Sequence, residues 1–214
     1  MKIDHIFIFS SNSGEEANEL VQFGLSEGSS RIHPGQGTKN RKFYFGNFFL
    51  EILWVVNEEE IQSELTRRTK LWERSQFRRN GNSPFGLCLV NSELTDELFQ
   101  KSEIYQPDFL PKGMSIDILT NEEYPSLPWT FRLPFRGEGK EHNEPIEHQN
   151  GIKNLSGVEF EILTEKGGIE FKNYIRKSPI KLKKGNRTHL TLEFDNLSQN
   201  KSKEFESLNL TIKY

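Results

Sequence analysis

The sequence predicts an α+β fold built from repeated β-α-β-β-β units. Three observations carry this. The first 55 residues alternate apolar strand patterns with one helical stripe in the order β-α-β-β-β, and residues 84–135 run through the same order again. The chain then closes on NRTHLTLEFDN and SLNLTIKY, which echo NRKFYFGNFFLEILWV: both begin Asn-Arg and run strand, Asn-containing turn, strand. Self-similarity at a spacing of roughly 50–80 residues marks units that bury their faces against each other.

The elements follow in order. KIDHIFIFS has Ile3, His5, Phe7 and Phe9 on one face and Asp4, Ile6, Ile8 and Ser10 on the other, so it reads as a central strand covered on both sides. In SNSGEEANELVQFGL, Ser13 is placed to N-cap with Glu16 at the capping-box position, and Ala17, Leu20, Val21 and Phe23 form a helical stripe ended by Gly24. A weak strand near residues 29–32 leads into the loop HPGQGTKN and the strands RKFYFGN and FFLEILWV. These complete a first unit over residues 1–56.

Residues 57–83 are highly charged and read as a linker with helical spacing. A second, degenerate unit covers 84–136, with strands PFGLCLV, MSIDILT and PWTFRLPF and a short helix capped by Ser92. A polar loop at 137–154 holds His142 and His148, and a β-rich unit covers 155–214.

Composition excludes several classes. A chain of 214 residues with 28% charged residues and a net charge of −3 lacks the basic excess of a nucleic-acid or membrane-surface binder. One cysteine, Cys88, rules out an internal disulfide and reads as a small buried hydrophobe. No apolar run nears the ~18 residues of a membrane span, and MKIDHIFIF lacks the pattern of a signal peptide. The expectation is a cytoplasmic protein. No Ser-His-Asp arrangement, zinc-finger spacing or nucleotide-binding fingerprint is present, so no nucleotide cofactor is expected.

Glu51 is the informative residue. An ionised carboxylate inside an apolar strand costs several kcal/mol unless it is paired. His5, on the first strand of the same unit, is the candidate partner. On spacing alone His5 is either a core histidine or a pocket residue. Together the two offer half of a site for a divalent metal. The loop HPGQGTKN is either a tight connection using positive φ at Gly35 and Gly37, or a ligand cradle. It is not a P-loop, because the Gly-Lys-Ser/Thr ending is missing.

Asp4-His5-Ile6, His33 to Thr38 with Asn40-Arg41, Leu50-Glu51 through Trp54-Val55, and Arg74 with Ser83 to Gly86 together resemble the glyoxalase-like branch of the vicinal-oxygen-chelate superfamily. The likeness is close over residues 1–90 and loose beyond, where HNEPIEHQNGI resembles the family's H-x-NG element. The resemblance implies paired units curling partly open sheets around a cleft. It also implies a divalent metal held between strands, and a small oxygenated ligand.

On that basis His5 and Glu51 are expected as metal ligands and His148 as third ligand or catalytic base. His33, Gly37, Thr38 and Asn40, with the aromatic–cation pairs Trp72–Arg74 and Trp129–Arg132, are expected as ligand contacts. The internal alignment places Gly86 or Leu87, Val158 and Asn209 where further ligands belong, a departure from the metal-binding pattern. Two readings follow. One is a metal-assisted lyase, isomerase or dioxygenase. The other is a metal-free binding protein on the same scaffold. A small-molecule ligand and a homodimer are the expected partners.

Overall fold

The computed structural model describes residues 1–137, 143–164, 168–175 and 178–214. Eight strands, β1 (Ile3–Phe9), β2 (Ser30–His33), β3 (Thr38–Phe45), β4 (Phe48–Val55), β5 (Phe85–Leu89), β6 (Glu103–Tyr105), β7 (Ile116–Leu119) and β8 (Trp129–Arg132), form one curved sheet. Five more, β9 (Leu155–Ile162), β10 (Ile180–Lys184), β11 (His189–Phe194), β12 (Ser202–Phe205) and β13 (Leu210–Lys213), form a second. The helices are α1 (Ala17–Gln22), then α2 (Glu58–Ile61), α3 (Glu64–Arg67), α4 (Leu71–Ser75) and α5 (Phe77–Asn80) in the charged stretch, α6 (Glu93–Asp96), and α7 (Gly168–Ile175). The result is an α+β fold of open, curved sheets.

The large sheet runs β2-β3-β4-β1-β5-β8-β7-β6. Its two halves repeat one pattern about the antiparallel β1–β5 pair. Each central strand is flanked by a parallel partner, β4 beside β1 and β8 beside β5. Side chains alternate between faces along each strand. On β1 the back face takes Ile6 and Ile8, and the front takes His5, Phe7 and Phe9.

The second sheet, β10-β9-β11-β13-β12, seals that back face. Phe85 meets Phe160 with ring centroids 5.9 Å apart, and Phe45 meets Phe194 at 4.6 Å. The described residues of the C-terminal unit therefore supply cover, and none of them lines the cleft. This is why a strand on both of whose faces apolar residues recur, as β1 does, sits at the centre of the fold.

Helix α1 starts later than its capping pattern implies. Ser13 has a positive φ of 52°, and the helix begins at Ala17. Glu16 instead turns its buried carboxylate back onto the Ser10 hydroxyl, the Ser11 N–H (2.9 Å) and the Asn12 N–H (3.0 Å), organising the turn after β1.

Candidate functional site

The front face of the large sheet encloses a cavity of about 230 Å³. The first half of the sheet contributes His5, Arg31, His33, Gln36, Asn40, Lys42, Phe49 and Glu51. The second half contributes Ile116, Trp129, Phe131 and Leu133, and Leu71 and Phe109 close the sides. Phe7 forms the floor between them.

Parallel pairing of β1 with β4 puts Phe7 opposite Glu51, and the odd positions of both strands face the cavity. His5 and Glu51 are thereby brought together, with Nε2 to Oε2 at 3.8 Å. Each is also held from its other side. The Asp4 carboxylate can only accept, so His5 Nδ1 donates to Asp4 Oδ1 at 2.5 Å and Nε2 is left facing Glu51. The His5 ring stacks on Phe49 at 4.3 Å. Burial works against the Asp4 carboxylate, but the bond and charge of His5 outweigh it and hold its pKa below the usual value. Asn40 donates from Nδ2 to Glu51 Oε1 at 2.5 Å, while its Oδ1 accepts from the Arg31 N–H at 2.7 Å. The penalty that Glu51 would incur unpaired is offset by this amide.

His33 lies on the cavity rim with Nδ1 bonded to Thr38 Oγ1 at 2.9 Å. Burial lowers its pKa; Glu51 opposes the shift, and Arg31, Lys42 and His5 add to it. Thr38 is fully buried and acts through His33 and Gln36, whose Nε2 donates to the same hydroxyl at 2.8 Å.

Other expected contacts lie elsewhere. The Gly35 and Gly37 N–H groups both donate to Glu60 Oε2, at 2.8 and 3.1 Å, so they clamp the HPGQGT loop to α2, while His33 and Gln36 of the same stretch line the cavity. Gly37 has φ +73°, and an added Cβ would collide with the Asn57 carbonyl.

The Arg74 guanidinium is buried in a cage of backbone carbonyls: Pro125 (2.6 Å), Leu127 and Thr120 (2.7 Å each), with Ser83 and Asn121 more distant. Burial pulls its pKa down to about 10. Trp72 packs against the front core, outside the cavity lining. Arg132 points away from the cavity, bonding Asp117 and Asp96 at 2.7 Å each. Only Trp129 of the two aromatic–cation pairs reaches the cavity, its Nε1 anchored on the Thr69 carbonyl at 2.6 Å.

His148 sits on the back of the sheet against Phe45, with Nδ1 accepting from the Ser26 N–H at 3.0 Å. This position excludes it as third ligand or base in the cleft. His142 lies outside the described residues. His189 bonds Thr211 at 2.8 Å in the second sheet, also away from the cavity. Leu71, Ile116 and Phe109 line the cavity but carried no sequence signal beyond being apolar.

A metal of the kind the resemblance implies needs about three protein ligands in a catalytic zinc-type site. The cleft offers His5 Nε2 and Glu51 Oε2. At the matching strands of the second half stand Gly86, Cys88, Trp129 and Phe131, paired across β5 and β8. The described residues do place Asp4, His5 and Cys88 within 4.8 Å of one another. That group is a hydrogen-bonded acid–imidazole pair beside a thiol that burial, and then the Asp4 and Glu51 charges, push well above its usual pKa. Neither set fits a complete metal centre.

Paired β-α-β-β-β halves around a shared front cleft define a vicinal-oxygen-chelate protein. The family model described as a glyoxalase-like domain matches residues 3–162, and the chain belongs to that family. No curated relative matches this chain.

Among solved structures, a hypothetical protein from Staphylococcus aureus aligns at TM-score 0.60 and 10% identity, over 99% of this chain and 98% of that one. A methylmalonyl-CoA epimerase from Mycobacterium tuberculosis aligns at TM-score 0.38 and 8% identity, over 62% of this chain and 86% of that one. A mutant of 4-hydroxymandelate synthase from Streptomyces coelicolor aligns at 0.46 and 11%, over 99% and 61%. The first shares the fold; the other two are too distant to bear on function.

Proposed function

We propose that this protein binds a small oxygenated molecule in the front cleft and moves a proton on it without a metal, with His5 and Glu51 as the acid–base pair. The observation that supports this is the 3.8 Å gap between Nε2 and Oε2 at the polar end of the cavity. It is too long for a direct hydrogen bond, and one ligand oxygen or carbon-bound proton between the two lies within reach of both. Asp4 fixes the His5 tautomer, as a carboxylate does in an acid–base triad, and Asn40 fixes the Glu51 rotamer.

The test is solvent deuterium exchange. Protein in D₂O is incubated with a panel of small 2-oxo and α-hydroxy carbonyl compounds, and loss of the C–H signal is followed by NMR. Exchange that falls by about 10²-fold or more in His5→Ala and in Glu51→Gln supports the proposal. Ligand binding with no exchange on any compound replaces it with the non-catalytic reading, which the apolar lining contributed by the second half favours. Stoichiometric metal in protein purified without chelators, lost in both variants, overturns the metal-free mechanism.

A further inference from the structure

The charges around the cavity run against the charge of the chain. The whole chain carries −3, yet the cavity lining holds two cations, Arg31 and Lys42, and one carboxylate, Glu51. Glu51 keeps its charge under the neutral Asn40 amide, which leaves the lining with one net positive charge. Lys42 stands directly opposite Glu51 in the β3–β4 register, but its ammonium lies over the Tyr44 ring at 5.4 Å. The Arg31 guanidinium rests over Phe109 at 5.3 Å and donates one N–H to the Phe109 carbonyl at 3.2 Å. Among the described residues neither cation is within ion-pair distance of a carboxylate.

Facing them across the cavity is an aromatic wall, Trp129 and Phe131, whose ring centroids are 4.7 Å apart. The space, about 230 Å³, suits a small molecule.

Resting on the cleft reading above, we infer that the ligand is a small monoanion with a flat apolar body. Its acid group lies between Arg31 and Lys42 beside His33, and its body lies against Trp129 and Phe131. Glu51 in the lining and Glu144, which acts on Lys42 from outside it, balance only part of this positive charge. A carboxylate there adds counter-charge and accepts charge-assisted hydrogen bonds from a pre-placed guanidinium. The wall takes the apolar part without needing a polar partner. His5 Nε2 and Glu51 Oε2 face the part of the molecule next to the acid group.

The experiment uses two probes of one shape, 2-naphthoate and the neutral 2-naphthamide, titrated calorimetrically into the full chain. The expected result is naphthoate binding about tenfold or more tighter than naphthamide. Arg31→Gln and Lys42→Gln should each shrink that preference by weakening naphthoate several-fold more than naphthamide. Both residues are on the surface side of the cavity, so the variants keep the core intact. Added salt should weaken naphthoate alone.

Equal affinity for the two probes, or a preference that survives both substitutions, overturns the anion assignment. If Phe135→Ala at the cavity mouth then weakens both probes alike, the cleft reading stands without it. Failure of both probes to bind overturns the cleft reading and the anion assignment together.

Discussion

Arg74 is a buried cation bonded only to backbone carbonyls among the described residues, and its removal gives a sharp expectation. Its guanidinium is 2% exposed and makes three short bonds, to the carbonyls of Pro125, Leu127 and Thr120. The bonds to Ser83 and Asn121, at 3.4 and 3.5 Å, are marginal. The Pro125 oxygen also accepts from the Ser83 N–H at 2.8 Å, so it keeps a partner without Arg74. The Leu127 and Thr120 oxygens depend on Arg74 far more.

Two orphaned buried acceptors cost about 1–3 kcal/mol each, so Arg74→Ala should destabilise by about 4 kcal/mol, reduced by relief of the buried charge and increased by the void. That is a large share of the ~5–15 kcal/mol of a typical domain. Arg74→Lys keeps the charge but replaces the planar fork with a point donor, and should cost about 2 kcal/mol. Urea unfolding followed by circular dichroism measures both. If Arg74→Ala does not fold, Arg74→Lys alone decides. A loss below about 1 kcal/mol in the lysine variant, with the slope unchanged, would refute the argument that the cage depends on the fork.

Two further expectations concern pH and backbone. Burial lowers the pKa of His33, His148 and His189, so the unfolded chain takes up protons first as pH falls below the ordinary histidine value of about 6.5. Stability should be full above that pH and decline between it and the lower folded-state values. His148→Gln should remove part of the slope, and urea midpoints from pH 7.5 to 5 measure it; a flat profile would show that these imidazoles are protonated in the fold. Gly37→Ala combines a positive φ with a collision against Asn57, and should cost about 1–3 kcal/mol in the same unfolding assay, whereas Gly81→Ala, also at positive φ but in open space, should cost about 1 kcal/mol.

The fold was legible because periodicity records which face of a strand is buried. His5 and Glu51 stood out as polar residues at odd positions of apolar strands, and parallel pairing brings odd positions together. The second half was harder. Its helix spans only Glu93–Asp96 and its strand β6 only Glu103–Tyr105, so little pattern accumulates. The loop HPGQGT was ambiguous because a turn stabilised by a distant carboxylate, Glu60, has the same letters as a ligand cradle. Arg74 misled for a related reason: a cation beside an aromatic looks alike whether it faces a ligand or the chain's own carbonyls. Arg31 and Lys42 gave no signal, since charged residues on a half-exposed hairpin are common. Their placement is visible only once β2 and β3 curl over the cavity.

The back sheet has a consequence for how this scaffold can change. Packing against the second sheet fastens Ile6 and Ile8 of β1, while Phe7 and Phe9 belong to a front core that includes Trp129 and Phe131. His5 and Glu51 stand at the rim of that core, in the hollow. A lineage could exchange the imidazole or the acid and keep the architecture, which is how a single framework comes to host unrelated reactions.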